Sequence, residues 1–108
     1  MRNSSEQRAL RHYRLRFYRI LGTNVWIGGY EIDLVVRRGR RLAFVEVKSK
    51  TGDRFGDPFE MVGPEKQRRI RQAAEAWLAA NPEYAGLDAS FEVVAVRGTR
   101  LERLRGAF

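Results

Sequence analysis

The chain has no cysteine and a single histidine, His12. Those absences exclude disulfide frameworks, cysteine-based zinc fingers and Cys/His nucleophiles. Proline occurs only at positions 58, 64 and 82, which leaves most of the chain free to build regular elements. No apolar run approaches the roughly 20 residues that span a bilayer. The opening Met1-Arg2-Asn3-Ser4-Ser5-Glu6 is polar and leads into no signal-peptide core. A soluble, cytoplasmic protein without a membrane partner is the expectation. Nor is there an internal repeat, a low-complexity tract or a long linker, so residues 1–108 read as one domain.

What the chain has in excess is positive charge. It carries 21 Lys and Arg against 13 Asp and Glu, a net +8. Such an imbalance in a small domain points to polyanions, because each neutralised phosphate releases condensed counterions. A merely solvated basic surface would have the same count. The 44% hydrophobic and 31% charged fractions are those of a globular chain, not a disordered one.

Ser5 can cap a first helix reaching about Leu21 and Gly22. Ala9, Tyr13, Phe17, Ile20 and Leu21 recur at helical spacing and would form its buried stripe, with Arg8, Arg11, Arg14, Arg16 and Arg19 outside it. Residues 30–37 and 42–50, rich in β-branched side chains, read as a hairpin turning at Arg38-Gly39-Arg40-Arg41. The stretch 51–64, with three glycines and two prolines, reads as a loop without phosphate-loop spacing, suited to a flexible rim beside a site. A second helix is predicted over 64–80, opened by Pro64 and ended by Asn81-Pro82, with Ile70, Ala73, Ala74, Trp77 and Leu78 inward. Ser90 to Val96 is a further strand, followed by a turn at Arg97-Gly98-Thr99 and a short return strand to Leu104. The expected fold is α/β, a central mixed sheet flanked by helices. Trp77 is assigned to the core, Trp26 to core or edge packing, and His12 to the surface.

If the hairpin turn centres between Gly39 and Arg40, paired positions sum to 79. Asp33 then faces Glu46, and Glu31 faces Lys48. Alternation would place these four on one face and Ile32, Leu34, Val45 and Val47 on the other. Two opposed carboxylates repel, and a hard divalent cation would relieve that repulsion. The nearby lysine could hold a water or stabilise charge on a phosphate. An ordinary solvated sheet face would also accept these charges, since Glu-x-Lys on a strand is common. The apolar neighbours Phe44, Val45 and Val47 argue for a built site.

Glu31-Ile32-Asp33-Leu34 followed by Phe44-Val45-Glu46-Val47-Lys48-Ser49 resembles the core of the PD-(D/E)xK nuclease superfamily. More narrowly, the chain resembles the YraN-like family of small bacterial proteins, itself similar to Holliday-junction resolvases. The likeness extends to Glu6, Ala9 and Tyr13, to Phe55-Gly56-Asp57-Pro58 with Glu60 and Val62, to Lys66, to residues 91–96 and to Ala107-Phe108. It implies a restriction-endonuclease-like fold and a Mg²⁺- or Mn²⁺-dependent endonuclease hydrolysing phosphodiesters of DNA, such as branched repair intermediates. Asp33, Glu46 and the Val47 carbonyl would be metal ligands and Lys48 the catalytic lysine. Glu6 and Glu31 would be additional acids, and Lys66 a phosphate contact. Arg8, Arg11, Lys50 and Arg69 would add backbone affinity, and a homodimer is expected by analogy with junction-cleaving relatives. Two departures stand out: Tyr30 occupies a position where the family usually has glycine, and so does Phe17. The rival expectations are a non-catalytic nucleic-acid-binding protein and an interaction domain for an acidic partner.

Overall fold

Residues 4–50 and 62–108, the side chain of Lys50 excepted, are described by a computed structural model of the chain. In order they form α1 (Ser4–Leu15), β1 (Arg19–Ile27), β2 (Tyr30–Arg38), β3 (Arg41–Lys50), α2 (Pro64–Ala80), a 3₁₀ turn (Pro82–Tyr84), β4 (Asp88–Arg97) and β5 (Arg100–Leu104). The five strands make one sheet in the order β1-β2-β3-β4-β5. Neighbours run antiparallel except β3 and β4, which are parallel. A parallel pair needs a crossover longer than a hairpin, and α2 lies within it.

The expected hairpin register holds over its paired length: Leu34 faces Val45, Val36 faces Ala43 and Arg38 faces Arg41. α2 runs from Pro64, with its C-cap at Asn81, whose N–H bonds the Trp77 carbonyl at 2.9 Å. Both agree with the sequence expectation.

The first helix does not. It ends at Leu15, six residues before the expected Leu21, and a strand follows. The Tyr18 N–H bonds the Tyr13 carbonyl and the Phe17 N–H bonds the Arg14 carbonyl, each at 3.0 Å. This nested pair of bonds closes a helix through a left-handed residue, here Phe17 at φ 66°. The Tyr13 and Tyr18 rings then meet edge to face at 5.2 Å, the apolar contact that accompanies such a stop. Phe17, expected in the buried stripe, is 88% exposed. A left-handed conformation at a residue with a Cβ costs about 1–2 kcal/mol, which explains why glycine suits this position. Ile20 and Leu21 continued the helical spacing by coincidence; Ile20, Val25 and Ile27 are β-formers, and all four pack as strand residues.

Gly28 and Gly29, at φ 61° and 78°, join β1 to β2. Positive φ at both central positions is the two-residue turn whose twist matches the strands. Trp26, expected in core or edge packing, lies on edge strand β1 and is 73% exposed.

Both sheet faces are covered. On one, Ala9, Leu10 and Tyr13 of α1 pack on Leu34, Val36, Ala43 and Val45. On the other, Ala73, Ala74 and Trp77 of α2 pack on Ile32, Val35, Leu42 and Phe44. Ile32 and Leu34 therefore pack on different faces, whereas strict alternation would place both on one. The alternation breaks at Asp33. Among the described residues, no helix is long and apolar enough to cross a membrane.

Candidate functional site

The β2–β3 ladder runs from the Arg38–Arg41 turn only as far as Leu34 and Val45. One step further Asp33 and Glu46 do not pair. The Asp33 carboxylate instead accepts the Val47 N–H at 2.7 Å, while β3 stays paired with β4 through Lys50. The sheet thus opens at one seam, and the candidate residues gather around it.

On the α2 side of the opening, Glu46 is buried, and its Oε1 lies 3.2 Å from Lys48 Nζ and 3.0 Å from Lys66 Nζ. The Tyr30 hydroxyl reaches the same oxygen at 3.5 Å. Lys66 comes from the first turn of α2, so that helix closes the site over β3. Burial and the neighbouring Lys66 hold Lys48 below the ordinary lysine range, against the pull of Glu46. Burial also opposes the charge on Lys66, but its hydrogen bond with Lys48 and the Glu46 carboxylate outweigh this and raise its pKa. Of the two lysines, Lys48 is therefore the readier to lose a proton.

On the α1 side, Asn24 Nδ2 donates to Glu6 at 3.0 Å and to Glu31 at 2.9 Å. The expected single face bearing Glu31, Asp33, Glu46 and Lys48 is thus divided. Glu31 and Glu6 lie beyond Asp33, on the side away from the lysines. Asp33 stands between the groups, and its pKa is pushed up to about 7 by burial first, then by Glu46, with Glu6 and Glu31 adding and the Val47 N–H opposing. Among the described residues, no three His, Asp or Glu side chains are gathered closely enough to hold a metal ion as they stand. The positive charge beside Glu46 comes from the two lysines.

The remaining basic residues scatter. Arg8 donates to the Gly98 carbonyl at the β4–β5 turn, and Arg11 is exposed on α1. Arg69 pairs with Glu65 at 3.2 Å and, with Tyr30, Pro64 and Lys66, lines an open depression beside the site. The Lys50 side chain and the proposed loop rim at residues 51–61 lie outside the described residues. His12 is half-buried rather than on the surface, with Nε2 buried and lacking a hydrogen-bond partner among the described residues.

Asn24 was not expected in the site. Gly28-Gly29 between apolar flanks was the available signal: its register pairs Val25 with Ile32 and Thr23 with Leu34, which brackets Asn24 against Asp33. Reading residues 19–22 as the end of a helix, and 24–27 only as a short extended stretch, concealed that pairing. The Ser5 and Ser49 hydroxyls bond each other and tie the start of α1 to β3, a contact not foreseen; Ser5, expected to cap the helix, lies within its first turn instead.

Comparison with known proteins adds the family. The model of the uncharacterised protein family UPF0102 matches residues 5–96. A UPF0102 protein of Rhodopseudomonas palustris (strain HaA2) is 42% identical over 106 residues, covering 97% of this chain and 81% of that one. One from Bordetella avium (strain 197N) is 38% identical over 104 residues, 96% of this chain and 71% of its own. One from Yersinia pseudotuberculosis serotype O:1b is also 38% identical over 104 residues, 95% of this chain and 89% of its own. The chain belongs to the UPF0102 family.

Proposed function

We propose that the protein is a metal-dependent endonuclease of the PD-(D/E)xK type, with a restriction-endonuclease-like fold, acting on DNA and on branched or otherwise distorted DNA in particular. The observation that carries this reading is Asp33, held by the Val47 N–H at the seam where β2 and β3 part and close enough to Glu46 to feel its charge, with Lys48 on the far side of Glu46. A carboxyl driven up by burial and then by neighbouring carboxylates, Glu46 foremost, favours a hard cation, and two carboxylates with a carbonyl are the oxygen donors Mg²⁺ and Mn²⁺ take. Within an extended strand the N–H and C=O of one residue point to the same side. The Val47 carbonyl therefore heads into the opening that its N–H enters. Asp33, Glu46 and that carbonyl would hold the ion, which would supply Lewis-acid activation of water and of a phosphoryl oxygen.

The chain's own residues account for the rest. Lys48, with its proton loosened, is suited to take one from an attacking water; protonated, it can neutralise a phosphoryl oxygen as the P–O bond breaks. Lys66, next to the open depression, can exchange its contact with Glu46 for a backbone phosphate. Arg69 adds affinity without base preference. A dimer, as in junction-cleaving enzymes, is part of the proposal.

The clamp of two lysines on Glu46 favours a second reading, a non-catalytic nucleic-acid-binding protein that keeps the site in a locked form. Nicked, flapped and four-way DNA incubated with Mg²⁺ or Mn²⁺ separates the two. The nuclease reading expects cleavage that falls roughly a hundredfold or more in Lys48→Ala, with binding retained. Salt-dependent binding without cleavage by the wild type supports the second reading, and neither binding nor cleavage supports an acidic protein partner.

A further inference from the structure

The far end of β2 and β3 is chemically unlike the carboxylate site. Arg38 is five residues from Asp33 on β2, about 16 Å along an extended strand. At this corner an open depression is lined by Phe17, Arg19, Arg37, Arg38 and Gly39. Arg37 donates to the Gly39 carbonyl at 2.9 Å and lies 5.7 Å from the centre of the Tyr84 ring. Arg38 donates to the Arg16 carbonyl at 3.1 Å and lies 5.3 Å from the centre of the Tyr18 ring. The guanidinium groups are thus fixed by carbonyls and aromatic faces. Among the described residues, no carboxylate pairs with Arg19, Arg37 or Arg38.

Phe17 stands over this corner. Its ring belongs to no core cluster and is the most exposed large apolar side chain among the described residues. Its backbone sits in the left-handed region, which glycine would occupy without strain. A strained, outward-facing aromatic does nothing for packing, and such outliers point to function. Positioned cations lacking counter-charges suit phosphates, and a free aromatic face suits a base that is not already stacked in a duplex.

We propose that Phe17, Arg19, Arg37 and Arg38 form a second nucleic-acid site, specific for single-stranded or unpaired segments. Phe17 stacks on one base and the arginines hold the flanking phosphates. A second copy of this chain is a poorer occupant, because two such corners would bring like charges together. The proposal does not depend on the chemistry at Glu46.

Fluorescence anisotropy of the full chain in EDTA, with a labelled oligothymidylate and a blunt duplex, tests it. Phe17→Gly relieves the positive φ, so its melting temperature should not fall. Its affinity for the single strand should nevertheless drop about tenfold, the loss of one base-stacking contact. Its affinity for the duplex should change less than about twofold, since backbone contacts remain. Arg19→Gln should lower the slope of log K against log salt by about one. Unchanged single-strand affinity in Phe17→Gly, equal losses on both ligands, or no oligonucleotide binding by the wild type would each overturn the proposal. So would a dimer that dissociates in Phe17→Gly while DNA binding persists, which would make the corner an interface between copies.

Discussion

The Val47 N–H donates to the Asp33 carboxylate at 2.7 Å, across the gap where β2 and β3 cease to pair. An acid takes the place of a strand carbonyl. The ladder has given up a backbone bond to seat a carboxylate beside Glu46, so the fold carries an electrostatic penalty at this point.

That penalty depends on pH. The Asp33 carboxyl titrates at about 7 in the folded chain, against about 3.9 when unfolded. Ionising it therefore opposes folding. The cost is absent below about pH 4, grows through the interval from 4 to 7 and is complete above that. Partial exposure reduces its size. Asp33→Asn keeps an oxygen to accept the Val47 N–H, and it should stabilise the protein by about 1–3 kcal/mol at pH 8. At pH 4 the two proteins should unfold alike. Urea denaturation at both values checks this, and an equal effect at both would show that charge is not the cause.

The sequence disclosed the elements whose rules are local. Pro64 and Asn81-Pro82 delimit α2, and the Arg38-Gly39-Arg40-Arg41 turn fixed the β2–β3 register that brings Asp33 near Glu46. The stop of α1 was hidden because it rests on two backbone hydrogen bonds around Phe17, a residue that hydrophobic periodicity assigns to the core. The division of the site between the two faces was hidden for a related reason. Period-2 counting assumes a regular strand, and β2 changes face at Asp33. Membership of an uncharacterised bacterial family was legible because the resemblance runs the length of the chain.

Two tryptophans test the corrected placement. Trp77 is 4% exposed and meets Phe44 edge to face at 5.7 Å, whereas Trp26 is 73% exposed. Trp77→Ala should cost about 3–5 kcal/mol. Trp26→Ser should change stability by no more than about 0.5 kcal/mol. Acrylamide should quench the wild-type fluorescence chiefly through Trp26, and that quenching should largely vanish in Trp26→Phe. Strong quenching that persists in Trp26→Phe would mean Trp77 is open to solvent and would contradict the packing of α2.

Glu92 and Arg103, which the sequence reading did not pair, make a buried unit away from the candidate site. Glu92 is 1% exposed and accepts the Tyr13 hydroxyl at 2.6 Å and Arg103 Nε at 2.7 Å. Arg103 Nη2 donates to the Tyr18 hydroxyl at 2.8 Å, and its guanidinium carbon lies 4.8 Å from the Tyr13 ring centre. Val94 faces Arg103 across β4 and β5, so Glu92 is a diagonal neighbour, within reach of a long side chain. Removing one partner leaves a charge without compensation, so Glu92→Ala and Arg103→Ala should each cost about 3–5 kcal/mol. Replacing both with apolar groups, as in Glu92→Leu with Arg103→Met, removes the charge and the need for its partner together. That double variant should be more stable than either alanine variant, measured by urea denaturation. If it is no more stable, the cost lies in lost packing around Tyr13 and Tyr18, and the ion pair is not the unit that holds α1 to β4 and β5.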